Sequence, residues 1–283
     1  MEEEKKTNKE QVELEGRSFN GYLPSPPDDR DFSIQTVCAV DKVELPEEYL
    51  TEGAIPVLDQ GSNSDCVAHA IATATAYGQY KAIGKFDDLS RGYLYGNRES
   101  TDYQGEGMYT REALKSYNHK GDCLTTIFPY TGSYVQMRSR IAEKQELYAK
   151  EAAKLKLINY FRLYSEKEIK KAIMLQGSVI LGMPVYSGFG KNVKMPTKDS
   201  KYLGGHAMCV IGWNKDGWIV QNSWGKNWAD KGRCYLPYGY PVDEWWGLTT
   251  SKATAPKKDC FLVRAFKFIK TTIVNLIKLF KKK

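Results

Sequence analysis

Residues 59–70, DQGSNSDCVAHA, place Gln60 six positions before Cys66, and an alanine-rich run follows the cysteine. That run has apolar residues at helical spacing and no proline up to about residue 83, which predicts that Cys66 begins a helix. The unpaired backbone N–H groups at a helix N-terminus stabilise a thiolate, so the position suits a nucleophile. The alternative is an ordinary buried thiol, and the stretch by itself does not decide between them.

A nucleophilic cysteine needs a base, a group that orients the base, and donors for the oxyanion. The chain has three histidines. We expect His69, inside the predicted helix, to be a structural core residue, and His119, in HKGD, to lie at a solvated helix end. His206 begins a β-rich run after two glycines, and Asn222 ends the next predicted strand sixteen positions later. Adjacent antiparallel strands can bring these two together, so that the asparagine oxygen accepts the imidazole N–H.

The elements that must position these residues change character along the chain. We expect helices first, and then short β-rich runs that are separated by Gly, Pro, Asn and Asp. The predicted helices are 66–83, 89–98, 110–119, 139–155 and 165–175, with Ser64 or Asp65 as the cap of the first. The predicted strands are 178–186, 206–213, 217–224 and 232–239, with a hairpin turn at 215–217. This order predicts an α+β protein with two lobes.

Three segments resemble the papain-like (C1) cysteine peptidases. DQGSNSDC is similar to the Gln-Gly-x-x-x-x-Cys segment of that family, GGHAMCVIGW to its histidine strand, and WIVQNSWGKNWADKG to its Asn-Ser-Trp-Gly segment. The order Cys, His, Asn is also that of the family. The resemblance implies the papain-like fold, in which the active-site cleft lies between a helical lobe and an antiparallel β lobe. The resemblance extends from about residue 20 to 248, and GYLPSPPDDRDF near the start is most similar to a bacterial and phage branch without a large pro-domain.

The resemblance implies a role for each residue. Cys66 would attack the scissile carbonyl as a thiolate, and His206 would pair with it and protonate the leaving amine. Asn222 would orient His206, while the side chain of Gln60 and the backbone N–H of Cys66 would hold the oxyanion. Trp224 would shield the contact between His206 and Asn222 from water; a core tryptophan is the alternative. Gly107 would contact an extended peptide substrate through its backbone, and a simple turn is equally consistent with the sequence.

The chain also departs from the family pattern. Asn63 stands where the family has a disulfide-bonded cysteine, Val67 where it has tryptophan, and Gly205 where it often has aspartate; Ala229 replaces a usual glycine. The missing disulfide removes the need for an oxidising compartment. Asp65 adds a negative charge beside the nucleophile, which opposes a low thiol pKa.

The domain boundaries follow from these patterns. Residues 1–16 predict a flexible charged arm, and residues 17–250 a peptidase domain with a helical lobe at about 50–163 and a β lobe at about 164–250. Residues 251–283 predict a basic amphipathic helix. Because no large pro-domain precedes the family-like segment, we expect residues 1–50 to cover part of the cleft.

Composition narrows the partners. Hydrophobic residues make up 42% and charged residues 27%, as in globular proteins. Residues 252–283 contain ten Lys or Arg and one Asp, so this segment has a charge of +9. Because the net charge of the whole chain is +7, the rest of the chain has a charge of about −2. No nucleic-acid surface is therefore expected on the main domain. The six cysteines show no metal-ligand spacing and fit a reduced protein, although disulfides stay open, and we expect neither a metal nor another cofactor.

The C-terminal segment carries a second signal. One predicted helix face is apolar, and the other is mostly basic. Such a helix suits an anionic membrane surface; a partner helix, or docking on its own domain, are the alternatives. The apolar face consists of Leu262, Phe266, Ile269, Ile273, Leu276 and Phe280, and the other of Arg264, Lys267, Asn275, Lys278 and Lys282.

The sequence thus predicts a cysteine endopeptidase that acts on peptides or proteins. Two alternatives are a papain-fold assembly protein of a virus particle or envelope, in which the C-terminal helix is the working part, and an endopeptidase for peptidoglycan cross-links. The charged N-terminus is unlike a secretory signal, so we expect a cytoplasmic or virion-associated protein that is peripheral to a membrane through residues 259–283.

Overall fold

The computed structural model describes residues 14, 16–37, 43–99 and 106–250. The predicted C-terminal helix and most of the predicted N-terminal arm lie outside these ranges. Across the described ranges, no helix is both long and apolar enough to cross a membrane.

The helices lie mainly in the first two thirds of the described chain. Serine side chains cap three of them: Ser90, Ser133 and Ser165 each accept a hydrogen bond from the backbone N–H three residues on. The longest helix, α2, ends where Gly84 adopts a left-handed conformation with φ 69°. The helices are α1 (Ile34–Val37), α2 (Cys66–Ile83), α3 (Arg91–Gly96), α4 (Thr110–Lys120), α5 (Tyr134–Glu143), α6 (Gln145–Ala152) and α7 (Glu166–Gln176).

Most strands form one antiparallel sheet of seven strands, ordered β4-β9-β5-β6-β7-β8, with β2 paired to β6. Its strands are β2 (Tyr49–Leu50), β4 (Leu157–Arg162), β5 (Val179–Tyr186), β6 (Tyr202–Trp213), β7 (Gly217–Gln221), β8 (Arg233–Pro237) and β9 (Glu244–Thr250). A separate parallel pair joins β1 (Tyr22–Leu23) to β3 (Met108–Tyr109).

The sheet separates two hydrophobic cores because alternate side chains of a strand point to opposite faces. On β6, Ala207, Cys209 and Ile211 pack with α2 in the first core. Their neighbours Met208 and Val210 pack in the second core, together with residues of α7 and β8. Helix α2 is buried on nearly every side over residues 66–79, which explains its many small alanines. This arrangement holds the start of α2 against β6.

The elements agree with the predicted α+β class, but α1, β1, β2 and β3 are not predicted, and β7 ends at Gln221 rather than at residue 224. Two further differences concern a helix and a pair of strands. The charged helix predicted over 139–155 is divided into α5 and α6, which meet at Lys144, a residue with φ −136°. Neither β4 nor β9 is predicted as a strand from the sequence. Strand β4 belongs to the sheet although it precedes residue 164, the predicted start of the β lobe. These two strands pair with each other over long sequence separation, which local patterns do not reveal.

Candidate active site

Cys66 is the first residue of α2 and is fully buried. Its backbone N–H has no partner within the helix, as expected for a first helical position. The backbone N–H groups of Ala207, Val67 and Cys66 itself lie near the thiol sulfur and act to lower the pKa of the thiol. Since Ala207 follows His206 on β6, these contacts place the sulfur at the strand that carries the predicted base.

His206 and Asn222 meet as the sequence predicts. The imidazole Nε2 lies 2.8 Å from the Asn222 amide oxygen. That oxygen also accepts the backbone N–H of Ser223 at 2.7 Å, which fixes the orientation of the amide. Nε2 must therefore be the protonated nitrogen, because it faces an acceptor. The other nitrogen, Nδ1, is buried without a hydrogen-bond partner and can accept a proton.

Aromatic rings exclude water from this pair. Trp224 lies with its ring centroid 5.0 Å from that of His206 and is 1% exposed. Phe189 packs edge-on against both rings, and Trp228 packs against Trp224. Trp224 thus lies where it can shield the contact between His206 and Asn222, and the same ring is part of the second core.

Gln60 is anchored at both ends of its side-chain amide. Its Oε1 accepts the Ser223 hydroxyl at 2.6 Å, and its Nε2 donates to the backbone oxygen of Asn63 at 2.7 Å. An amide nitrogen has two hydrogens, so this bond uses one of them. The two bonds fix the Gln60 amide between the segment after β7 and the loop before Cys66.

The loop of residues 60–65 is held by the hydroxyl of Tyr130, a residue that the sequence analysis did not select. This hydroxyl lies 2.8 Å from Asn63 Nδ2 and 2.8 Å from Asp65 Oδ2. It accepts from the amide and donates to the carboxylate. Asn63, where the family has a disulfide cysteine, is thus tied by a hydrogen bond instead. No short-range signal marks Tyr130, which lies 65 residues after Asp65.

Asp65 takes the N-cap position of α2, but its side chain makes no capping hydrogen bond, so the predicted cap is wrong in its chemistry. The buried carboxylate instead faces Tyr130 and, at 3.3 Å, Nδ1 of His69. His69 is fully buried, which confirms the structural role predicted for it, and His119 is exposed in the last turn of α4 as predicted.

Residues 17–25, which we call the covering segment, lie directly over the site. The backbone N–H of Gly205 donates to the Phe19 oxygen at 2.7 Å, and that of Met108 donates to the Gly21 oxygen at 3.1 Å. A Cβ on Gly21 would be 2.6 Å from the Cys66 sulfur. We expected residues 1–50 to cover part of the cleft, and residues 17–25 are the part that lies over Cys66.

Gly107 lies against the covering segment, and its contact with a substrate stays a prediction. It has φ +92°, and a Cβ there would overlap the backbone of Asn20 and Gly21. Gly205 replaces the aspartate usual in the family, and a Cβ at this position would overlap the Tyr22 backbone oxygen. Both glycines therefore let the backbone of the segment approach closely.

Polar contacts fix the start of the covering segment. Arg17 pairs with Asp59 at 2.7 Å and donates to the Trp224 backbone oxygen at 3.2 Å. The Ser18 hydroxyl lies 2.7 Å from that of Ser64. These contacts attach the segment both to the loop before Cys66 and to the stretch that follows Asn222.

Burial favours the neutral forms of the Cys66 thiol and the His206 imidazole. Desolvation raises the pKa of the Cys66 thiol to about 12, against the opposing effect of the Ala207 N–H, and the Asp65 charge raises it further. Desolvation also lowers the pKa of His206 to about 4, although the Asn222 hydrogen bond opposes this. Burial under the segment therefore disfavours the thiolate–imidazolium pair that the resemblance implies.

Comparison with known proteins agrees with this geometry. The chain matches the profile of the papain family cysteine protease over residues 47–248. It is 28% identical over 266 residues to a peptidase C1-like protein of Acanthamoeba polyphaga mimivirus, covering 81% of this chain and 84% of that protein. Its fold is similar to that of xylellain, a cysteine protease from Xylella fastidiosa, with a TM-score of 0.69, 25% identity and coverage of 83% and 97%. Procathepsin B from Trypanosoma congolense shares the fold at 17% identity, with a TM-score of 0.65 and coverage of 83% and 87%.

Proposed function

Because the chain belongs to the papain family of cysteine proteases and is a cysteine-type peptidase, we propose that Cys66 is its nucleophile and His206 its acid–base residue. The observation that carries this assignment is the single cluster of Cys66, His206 and Asn222 at the junction of α2, β6 and the end of β7. The substrates are peptides or proteins, and the bonds cut are internal ones, so the enzyme is an endopeptidase.

The orientation of the imidazole defines the proton path. The Cys66 thiol gives its proton to Nδ1 of His206, and the sulfur attacks the scissile carbonyl carbon. The C–N bond then breaks, and the amine leaves with the proton from Nδ1. Water hydrolyses the resulting thioester, with His206 accepting a proton from the water and returning it to the sulfur. Asn222 keeps Nε2 protonated throughout, so that Nδ1 is the nitrogen that exchanges protons.

Two donors serve the oxyanion. The backbone N–H of Cys66 has no helical partner, and the second Nε2 hydrogen of Gln60 is not used by the bond to Asn63. Both groups precede or begin α2, so the helix N-terminus adds its positive field. Preorganised donors of this kind stabilise the tetrahedral intermediate more than the planar substrate.

The covering segment holds the enzyme in a latent state. The carbonyls of Phe19 and Gly21 are hydrogen-bonded to the N–H groups of Gly205 and Met108, away from the oxyanion donors. A strand bound in this way blocks the thiol but presents no carbonyl for attack. It also keeps the pair neutral by burial, so displacement of the segment both opens the site and lets the ion pair form.

The assignment is tested by hydrolysis of casein with the full chain and with Gly21→Ala, which is designed to displace the covering segment. Cys66→Ala is expected to abolish hydrolysis, and His206→Ala to lower it at least about 100-fold. Cys234→Ala, which removes a buried thiol of the second core, is the matched control and is expected to retain activity. Activity that survives Cys66→Ala would contradict the assignment.

We also propose that the C-terminal segment 259–283 binds an anionic membrane surface. The sequence pattern, which predicts one apolar and one mostly basic helix face, supports this proposal. The alternative is that the segment binds a partner helix. We further propose a cytoplasmic or virion-associated location, which is supported by the similarity to a mimivirus protein. Within the described ranges, no feature favours a structural protein without activity or an enzyme for peptidoglycan.

A further inference from the structure

The side chain of Tyr22 fills a pocket immediately beside the candidate nucleophile. Tyr22 follows Gly21, whose α-carbon lies against the Cys66 sulfur, and is 2% exposed. Its ring lies over two glycines of neighbouring strands, Gly182 on β5 and Gly205 on β6. The pocket therefore opens one residue away, along an extended chain, from the atom that attacks the substrate.

The missing side chains of these glycines create the space for a flat ring. A Cβ on Gly182 would overlap the Tyr22 ring, and one on Gly205 would lie 2.9 Å from its Cδ1. Neither Gly182 nor Gly205 has the positive φ that only glycine adopts readily, so the backbone conformation at both positions would tolerate alanine. The glycines are thus explained by the ring that lies on them.

The far end of the pocket is acidic. The tyrosine hydroxyl faces the carboxylates of Asp243 and Glu244, which together with burial raise the pKa of the phenol. Glu244 has a fully buried side chain and pairs with Arg162 at 2.6 Å. The pocket is consequently an apolar slot that ends in a buried hydrogen-bond acceptor.

The covering segment itself occupies that acceptor through a second residue. The backbone N–H and the hydroxyl of Ser25 each lie 3.3 Å from a Glu244 carboxylate oxygen, and the Tyr22 hydroxyl is buried without a completed hydrogen bond. When the segment leaves the cleft, Glu244 loses both Ser25 donors at once. A buried carboxylate with open acceptor positions then favours an incoming donor at the end of the slot.

We infer that this pocket selects substrates and that the preferred residue is tyrosine, with Gly182 and Glu244 as the specificity-determining residues. The inference rests on the proposed function of Cys66. Backbone pairing with Gly205 and Met108 is independent of side-chain type, so a side-chain pocket must supply the discrimination. A tyrosine fits the flat slot and places its O–H at the carboxylate that Ser25 releases.

The test uses the full chain carrying Tyr22→Ala, which empties the pocket and loosens the covering segment. The probe is the heptapeptide RSFNGYL, the sequence of residues 17–23, which lacks a serine that could occupy Glu244. Protection of Cys66 against iodoacetamide measures its binding. The covering segment competes equally with every peptide, so the ranking of peptides is independent of its strength.

The tyrosine peptide is expected to protect at about one tenth of the concentration needed by the same peptide with phenylalanine, since only its hydroxyl can reach Glu244. It is expected to protect at about one hundredth of the concentration needed by the alanine peptide. Equal protection by tyrosine and phenylalanine, strongest protection by an arginine peptide, or no protection by any peptide would overturn the inference.

Two glycine variants in the same background separate the pocket from general effects. Gly182→Ala is expected to remove the advantage of the tyrosine peptide over the alanine peptide, because its Cβ overlaps the ring position. Gly190→Ala, where a Cβ meets no atom within 4 Å, is expected to preserve the ranking. Hydrolysis of the same peptides then tests the proposed function separately: no hydrolysis with the ranking intact contradicts the peptidase assignment alone, and hydrolysis without a preference for tyrosine contradicts the pocket alone.

Discussion

At the scale of single residues, the site depends on hydrogen bonds that orient groups before any reaction begins. Ser223 orients two of them, because its N–H fixes the Asn222 amide and its hydroxyl fixes the Gln60 amide. Ser223 therefore connects Asn222, which orients the base His206, to the oxyanion donor Gln60. This connection makes the roles of Gln60 and Ser223 separable by mutation.

Gln60→Ala removes an oxyanion donor and is expected to lower kcat about 100- to 1000-fold with little change in KM. Ser223→Ala removes only the partner of the Gln60 oxygen, so the donor is still present and a smaller loss, about tenfold or less, is expected. Steady-state hydrolysis of a fluorogenic peptide by both variants in the Gly21→Ala background checks this. Equal losses would show that Gln60 acts only by holding the loop.

Tyr130 holds the loop of residues 60–65 by hydrogen bonds, at the place where the family has a disulfide. Tyr130→Phe removes one hydrogen bond from each of two groups, because the Asp65 carboxylate then keeps only His69 and the Asn63 amide keeps only the Gln60 backbone oxygen. We therefore expect a loss of about 1–3 kcal/mol in the free energy of unfolding. Urea unfolding of the full chain measures it. Tyr134→Phe is the control, since the ring of Tyr134 packs on Tyr95 and its hydroxyl makes no hydrogen bond to any described residue. A loss equal to that of the control would contradict the role of Tyr130.

At the scale of elements, the sequence predicts what is local and misses what is paired at long range. The start of α2 at Cys66 and the strands around His206 follow from alanine content, β-rich runs and turn residues. Strands β4 and β9 escape prediction because each depends on the other, and Tyr130 escapes because its partners lie 65 or more residues away. Covering of the cleft was expected for residues 1–50, but the sequence did not show which residue would contact the thiol.

The covering segment predicts the reactivity of Cys66. Gly21→Ala places a Cβ 2.6 Å from the sulfur, so we expect the segment to be displaced and the thiol to lose part of the burial that raises its pKa to about 12. A lower pKa means more thiolate at a given pH, so we expect alkylation of Cys66 by iodoacetamide at pH 6 to rise at least about tenfold over the unmodified chain. Mass spectrometry of the alkylated peptides measures the rate.

The other described cysteines provide an internal reference for that experiment. Cys123 and Cys209 are buried, and desolvation raises the pKa of each thiol to about 12, so both are expected to react slowly in either protein. Gly190→Ala is the matched control for the substitution and should leave the rate at Cys66 unchanged. A Gly21→Ala protein with an unchanged rate at Cys66 would contradict the latent state.

At the scale of the whole molecule, charge is divided between two parts of the chain. Residues 252–283 carry +9, and the remainder carries about −2. A segment of this charge is attracted to anionic lipid, while the peptidase domain is not. The division supports a function in which the C-terminal segment determines where the enzyme acts and the domain determines what it cuts.

This division predicts that the full chain sediments with vesicles containing phosphatidylserine and stays in solution with neutral vesicles. The basic face provides the electrostatic attraction and the apolar face inserts, so binding is expected to weaken when salt is raised from 0.1 to about 0.5 M but not to vanish. Replacing Lys267, Lys278 and Lys282 with Glu should abolish sedimentation, whereas the same change at three exposed lysines of the domain, Lys85, Lys191 and Lys215, should not. Sedimentation of the chain lacking residues 259–283 to the same extent as the full chain would contradict membrane binding by the segment and leave a partner helix as its ligand.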